Sequence, residues 1–169
     1  MSEKKLGLIP RVVVQGALGP KDYGILCTNE RFIFIRESTS LATLGYFIGG
    51  IIGSAIADSA KSRKEVDYFN EPIEVLSTSK DAMTVSYSSI LSIQVRRRFS
   101  EYNLNIDYYD SNRRKKIRAI ITPPDQFVTQ KKTEGVRLKD IRRAYAEDVW
   151  KAFEKVLPLG VAQKVEVKI

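Results

Sequence analysis

Basic side chains that could bind an anionic partner are concentrated in one part of the chain. Residues 96 to 143 contain fourteen Lys and Arg but only six Asp and Glu, whereas the two charges balance before and after this stretch. The net charge of +8 therefore arises here, which indicates a patch that meets a negatively charged surface. A scattered, solvated face that only maintains solubility is the alternative. The candidate anion-binding residues are Arg96, Arg98, Arg113, Arg114, Lys115, Lys116, Arg118, Arg142 and Arg143.

Residue types that support catalysis are scarce in this sequence. It has no His and one Cys, which excludes a disulfide framework and His-based metal or acid/base sites. It has no phosphate-binding glycine loop and no dinucleotide fingerprint. Asp107 and Asp110 are interpreted as solvated residues of a strand and a turn, and Cys27 as a small buried hydrophobe. We expect no enzymatic activity, no catalytic residue, no metal and no cofactor.

A second feature is the uncharged, apolar segment Ser38 to Ala57. Its small residues recur at every fourth position, so on a helix they form one smooth stripe that another helix backbone can approach closely. Large apolar residues cover much of the remaining circumference, so such a helix must be hidden by protein or lipid. The candidate residues for membrane contact or self-association are Leu44, Gly45, Phe47, Ile48, Gly49, Ile51, Ile52, Gly53, Ile56 and Ala57.

The placement of this segment has several alternatives. Twenty residues suffice for one membrane crossing of about 30 Å. A crossing would, however, separate residues 1 to 37 from 59 to 169, which the fold described below needs in one body. A helix or helical hairpin in the membrane interface, self-association through the glycine stripe, and a lid docked on the domain therefore remain open.

Alternating apolar residues predict the strands that must position the basic patch. An N-terminal group covers Val12 to Ala17, Tyr23 to Thr28 and Arg31 to Arg36, with Thr28, Asn29 and Glu30 forming the turn of the last hairpin. A second group covers Ile93 to Phe99, Tyr102 to Tyr109 and Arg113 to Thr122. In that group Ile93, Val95, Arg97 and Phe99 are expected on one side, and Tyr102, Leu104, Ile106 and Tyr108 on the core side of the next strand.

Helical periodicity predicts the other elements. A short helix is expected within Asn70 to Leu76 with Asn70 as its N-cap, followed much later by a polar loop over Asp125 to Gly135 that has at most one helical turn. A long amphipathic helix is expected over Arg137 to Leu157, before Pro158. Its apolar stripe comprises Leu138, Ile141, Tyr145, Val149, Ala152, Phe153 and Val156. The tail Lys164 to Ile169 is either an edge strand or a frayed end.

Two stretches resemble a known family. Gly24 to Ile35 (GILCTNERFIFI) is similar to the hairpin of pleckstrin-homology-like domains, in particular the prokaryotic and GRAM-type branches, some of which carry a glycine-rich apolar insertion at this place. Met83 to Ile90 is similar to that family's next conserved element, with Ser86 where the family often has proline. The resemblance implies an α+β, mainly β fold: an antiparallel barrel of about seven strands, closed at one end by the C-terminal helix. Residues 1 to 169 would form one such domain, with an apolar helical insertion at 38–65 after the third strand.

These features together predict a non-enzymatic module that binds a membrane or lipid surface through the insertion and the basic patch. The alternative is a protein interaction scaffold that forms homo-oligomers through the glycine stripe. Nucleic-acid binding is less favoured, because Tyr102 and Tyr108 are assigned to the core. The expected partner is thus an anionic membrane surface or a protein. MSEKKLGLIP lacks the apolar core of a signal peptide, so we expect a cytoplasmic protein, with or without membrane contact.

Overall fold

The structure is a computed structural model that describes residues 2–36, 67–68 and 70–169. It is mainly β, with one eight-stranded mixed sheet and a few helices. The strands are β1 Lys5–Gly16, β2 Gly19–Thr28, β3 Arg31–Arg36, β4 Met83–Ser86, β5 Ile90–Arg98, β6 Glu101–Asp110, β7 Arg113–Ile121 and β8 Val165–Lys168. The helices are α1 Ile73–Ser77, α2 Asp125–Thr133, α3 Leu138–Val156 and α4 Leu159–Ala162.

The N-terminal strands confirm the predicted hairpins, but β1 and β2 are longer than expected. β1 begins at Lys5 rather than Val12, and Pro10 lies inside it. The register between β1 and β2 shifts between Ile9 and Val12, so Pro10 occupies a bulge, where its missing N–H interrupts no regular ladder. The β2–β3 turn is as predicted. The Thr28 hydroxyl accepts hydrogen bonds from the backbone N–H groups of Glu30 (3.1 Å) and Arg31 (3.0 Å), which is a reason for threonine here.

The sheet is rolled around one core. Its strand order is β4-β3-β2-β1-β7-β6-β5-β8, so β4 and β5 lie six positions apart. In a flat sheet that separation would be about 29 Å, at about 4.8 Å per strand. A 3-10 turn, Tyr87–Ser89, is all that joins the two strands, and the chain from Ser86 to Ile90 spans at most about 15 Å. The sheet must therefore curve, and one cluster of buried residues from β1 to β7 and α3 fills its interior.

The β5–β6–β7 meander confirms the predicted hairpins with two corrections. Ile93 and Val95 are buried as expected, but Phe99 is 87% exposed, because it lies in the β5–β6 turn with a positive φ of 56° that ends the alternation. Asp107 is also not a solvated residue, because it is only 7% exposed. Ser92 donates to its carboxylate (3.3 Å), and Lys116 and Arg114 lie nearby, which explains why this carboxylate can be buried.

The long helix α3 is confirmed, and the segment before it needs a correction. Residues 125–133 form helix α2 rather than a polar loop, since Pro123 and Pro124 stop β7 and leave the following residues free to start a helix. In α3 the predicted stripe is buried except Leu138, which lies in the first turn and is 37% exposed. Phe153 meets Phe32 of β3 edge to face at 5.2 Å, so α3 packs into the interior of the rolled sheet.

A smaller second core lies on the outer face of β1, β2 and β3. Helix α1 and Tyr68 cover it, and it contains Leu8, Leu26, Ile33, Ile35, Tyr68, Ile73 and Leu76. The helix begins at Ile73, so the expectation that Asn70 is its N-cap is wrong. Instead, Asp67 accepts hydrogen bonds from the Asn70 backbone N–H (3.0 Å) and side-chain amide (2.7 Å) in a preceding turn.

The C-terminal tail is a strand. β8 pairs in parallel with β5 at one edge of the sheet, which resolves the alternative left open by the sequence. Cys27 is fully buried as expected, and burial raises the pKa of its thiol. Within the part of the chain that the structure describes, no helix has the length and hydropathy needed to cross a bilayer.

Candidate functional site

A cleft of about 460 Å³ opens at the end of the rolled sheet where the β1–β2 and β6–β7 hairpins turn. We call it the basic cleft. Its floor is apolar and comprises Val14, Tyr23, Met83, Tyr108 and Ile117 from five strands, all of which belong to or pack against the main core. Four cations surround this floor, namely Lys21, Lys115, Lys116 and Arg118.

Strand pairing explains why these cations meet. In β1, Val14 pairs with Lys21 of β2 on one side and with Ala119 of β7 on the other. The sheet therefore holds Lys21 two strands away from Arg118, although about a hundred residues separate them in sequence. The arrangement can hold a ligand that combines an apolar part with negative charge, since the apolar floor favours contact with apolar groups and the rim attracts anions.

Acidic neighbours neutralise only part of the rim. Lys115 donates to Asp110, and this contact raises the pKa of the Lys115 amine and lowers that of the Asp110 carboxyl. The Nζ atom of Lys116 lies 3.6 Å from the Asp107 carboxylate. Among the described residues, Lys21 and Arg118 have no carboxylate within salt-bridge distance. Asp81 interacts with Lys21 electrostatically without a salt bridge, and within the described residues the rim keeps a positive excess.

An exposed leucine lies beside the basic cleft. Leu18 at the tip of the β1–β2 hairpin lines it and is 90% exposed. The next residue, Gly19, has a φ of +98°, a left-handed conformation that glycine adopts without steric cost. A glycine at this position therefore permits the tight turn. The hairpin consequently presents an aliphatic side chain to solvent next to the cations.

The chain leaves the described residues at this same end. Arg36, the last residue of β3, pairs with Tyr23 of the cleft floor, and its guanidinium contacts Asp81. The apolar segment predicted for membrane contact or self-association follows in sequence. All ten of its candidates lie outside the described residues: Leu44, Gly45, Phe47, Ile48, Gly49, Ile51, Ile52, Gly53, Ile56 and Ala57.

The predicted anion-binding residues fall into separate groups. Lys115, Lys116 and Arg118 line the basic cleft, while Arg113 and Arg114 begin the same strand at the adjacent hairpin. Arg98 and Arg142 lie near the β5–β6 turn, where Arg142 donates to the Ser100 carbonyl (3.4 Å).

Two further candidates are engaged elsewhere in ion pairs. Arg96 contacts Glu166 of β8 at 3.3 Å, and Arg143 contacts Glu147 of α3 at 3.0 Å. Sequence reasoning missed Lys21 and Leu18, because the only signal for them is their position at a hairpin tip. Their proximity to Lys115 depends on strand pairing that the sequence does not display.

Metal ligands and buried phenols are the other polar groups of interest in the described part of the chain. No cluster of three or more His, Cys, Asp or Glu there has the spacing to hold a metal ion. Burial raises the pKa of the Tyr87 phenol, whose hydroxyl donates to the Thr28 carbonyl at 2.7 Å. Tyr87 is thereby a structural donor of the core.

Comparisons with known proteins identify no family. No protein-family model matches the chain, and no curated protein is similar to it in sequence. Among solved structures, the chain is similar to the hSac2 domain from human phosphoinositide phosphatase Sac2, with a TM-score of 0.45 and 9% identity. The match covers 98% of this chain and 76% of that one. A similarity of this size supports no conclusion about function.

Proposed function

We propose that this chain is a pleckstrin-homology-like module without enzymatic activity, which associates peripherally with an anionic membrane surface. The rolled sheet with α3 packed into its interior supports the barrel that this proposal requires. The observation that carries the functional part is the basic cleft, where four cations surround an apolar floor beside the exposed Leu18.

Two kinds of attachment act together in this proposal. Each Lys or Arg close to an anionic bilayer contributes about 1 kcal/mol. Lys115 and Lys116 already contact carboxylates, so the rim supplies about 2 kcal/mol from Lys21 and Arg118 and about 4 kcal/mol at most from all four cations. This alone corresponds to a Kd of about 1–30 mM. Stable attachment needs a second, apolar signal. The segment Ser38 to Ala57 provides it in this proposal, since it follows Arg36 at the same end of the sheet as the basic cleft.

Vesicle co-sedimentation tests the proposal. Phosphatidylcholine vesicles with and without phosphatidylglycerol are compared for the wild-type chain, a Lys21→Gln/Lys115→Gln/Lys116→Gln/Arg118→Gln variant and a deletion of residues 40 to 57. We expect the wild type to bind the anionic vesicles in a salt-sensitive manner. Loss of about 2–4 kcal/mol in the cleft variant should weaken binding about 30- to 10³-fold, and the deletion should abolish stable attachment.

A matched control separates the cleft from general charge. Lys131, Arg137, Arg143 and Lys168 each contact a carboxylate and do not line the cleft. Changing these four to Gln removes the same charge, and it should leave most of the vesicle binding intact. Equal losses in both variants, or binding that ignores salt and the deletion, would refute the proposal. An oligomer that binds no vesicles and becomes monomeric with Gly49→Leu and Gly53→Leu would instead favour the scaffold hypothesis.

A further inference from the structure

A second hollow, of about 480 Å³, lies on the outer face of the sheet beside the β5–β6 turn. At the turn it is lined by Phe99 and Arg98. The strands contribute Asn103 from β6, the half-buried Ile120 from β7 and Gln15 from β1. The membrane proposal assigns no role to these residues, although Gln15 also lines the basic cleft. The hollow therefore needs a separate explanation.

Phe99 is the most unusual residue of this hollow. A bulky side chain with a φ of +56° carries a conformational cost of about 1–2 kcal/mol, and at 87% exposure the ring recovers little of it by burial. Hydrogen bonds fix the turn, since Arg97 Nε donates to the Phe99 carbonyl (3.2 Å) and Arg142 to the Ser100 carbonyl (3.4 Å). An exposed aromatic ring carried on a strained backbone points to a ligand that packs on the ring.

The side chains around Phe99 indicate the chemistry of that ligand. Among the described residues, no carboxylate lies within salt-bridge distance of Arg98, so its guanidinium is available to an anion. Asn103 and Gln15 bring amides that both donate and accept hydrogen bonds. A ligand that offers a flat ring, polar ring edges and a negative charge would satisfy all three kinds of group.

The hollow continues into a track of positive charge. Gln15 lines both the hollow and the basic cleft, where Arg118 and Lys116 follow on the same outer face of β7. Successive residues on one face of a strand lie about 6.6 Å apart, so Arg118 and Lys116 place positive charge at a regular interval along β7. The track thus suits an extended polyanion rather than a single nucleotide.

We propose that the hollow and this track bind single-stranded nucleic acid. One base stacks on Phe99, the amides of Asn103 and Gln15 meet the edge of that base, and its phosphate contacts Arg98. The following phosphates meet Arg118 and Lys116. Aromatic stacking combined with a basic groove is how proteins hold single strands with little sequence preference. A bilayer fits this hollow less well, because Glu101 and the amides around the ring would lose their hydration there.

Fluorescence anisotropy with labelled oligothymidylates of increasing length tests this inference. Stacking of one base contributes about 1–3 kcal/mol, so Phe99→Ala should weaken binding about 5- to 150-fold, whereas Phe99→Tyr should retain it. Arg98→Gln should lower the slope of log K against log salt by about 0.7. Glu101→Gln, which removes a negative charge from the hollow, should tighten binding several-fold.

Leu159→Ala serves as the matched control, because Leu159 is 85% exposed but lies on α4, away from the hollow. It should bind oligonucleotides as the wild type does, and Phe99→Ala should bind vesicles unchanged. The inference is overturned if the wild type binds no oligonucleotide at low salt, if Phe99→Ala binds as tightly as the wild type, or if duplex or thymidine monophosphate competes equally. A loss of vesicle binding in Phe99→Ala would assign the ring to the membrane instead.

Discussion

Replacing Phe99 by glycine should stabilise the protein, although it removes a large aromatic side chain. The residue lies at φ +56° in the β5–β6 turn and is 87% exposed. A left-handed conformation costs an L-residue about 1–2 kcal/mol, while glycine adopts it freely. Glycine loses more backbone entropy on folding, by about 0.5–1 kcal/mol. The difference leaves a gain of about 0.5–1 kcal/mol, or a rise in Tm of about 1–4 °C for a chain of this size.

Urea unfolding provides the measurement. Trp150 is the sole tryptophan and lies on α3, so its fluorescence reports the packing of that helix into the core. Phe99→Gly should shift the midpoint to higher urea with an unchanged slope. Phe99→Ala keeps the left-handed strain, and its stability should therefore stay within about 0.5 kcal/mol of the wild type.

The reverse substitution gives an internal check. Gly135 has a φ of +81°, and a Cβ atom at this position would meet no atom within 4 Å. The cost of a side chain here therefore comes only from the left-handed backbone conformation. Gly135→Ala should therefore destabilise the protein by about 0.5–1 kcal/mol. If Gly135→Ala behaves in this way but Phe99→Gly is neutral or destabilising, the strain assigned to the turn is refuted, and with it one argument for a ligand on Phe99.

Three further predictions concern individual side chains, of which Tyr145 and Cys27 are buried and Glu3 is half-buried. Tyr145→Phe should lower the free energy of unfolding, measured in urea, by about 1–3 kcal/mol. The reason is that the buried hydroxyl accepts a hydrogen bond from the Arg11 N–H (3.2 Å) and donates one to the Arg11 carbonyl (3.1 Å). A decrease of less than about 0.5 kcal/mol would contradict this. Burial raises the pKa of Glu3, but hydrogen bonds from Arg31 and Thr28 outweigh it, so the folded pKa lies below the ordinary value. This stabilisation is present above the unfolded pKa of about 4.3 and is lost as pH falls through the folded value. Glu3→Gln should thus be less stable than the wild type near neutral pH, and the difference in unfolding free energy should disappear in strong acid. A difference that does not change with pH would rule out a stabilising ion pair between Glu3 and Arg31. Cys27 should react with a thiol reagent only as fast as the protein unfolds, since the thiol is fully buried with a raised pKa, and rapid labelling of the native protein would argue against that packing.

Local patterns in the sequence predicted the hairpins and the long helix correctly. The run Arg31 to Arg36 is β3 with its predicted bounds, and α3 differs from the predicted helix by one residue at each end. Such elements are readable because their apolar residues repeat with the period of the structure they form. Two errors in the predicted strands arose where a local irregularity of the backbone departs from the regular strand pattern. Pro10 is tolerated by a bulge, and Phe99 leaves the strand alternation at a turn with positive φ.

The candidate site could be predicted from the sequence only in part. The excess of basic residues between 96 and 143 is visible in the sequence, but their grouping is not. Arg96 and Arg143 engage carboxylates elsewhere, while Lys21, from outside that stretch, joins Lys115, Lys116 and Arg118 around the basic cleft. Asp107 likewise became a buried carboxylate because a serine and two cations converge on it.

By itself, then, the sequence determined the elements whose signals are local: strand and helix periodicity, the turn after Thr28, the burial of Cys27 and the part of the chain that carries the charge. Only the tertiary structure decided which cations share a cleft. It also decided that Phe99 faces solvent near Arg98, whose guanidinium has no salt-bridge partner among the described residues. The physical reason is that the pairing of β1 with β7 is a long-range choice, set by how the whole sheet closes around its core. That choice brings together side chains a hundred residues apart, and no local pattern encodes it.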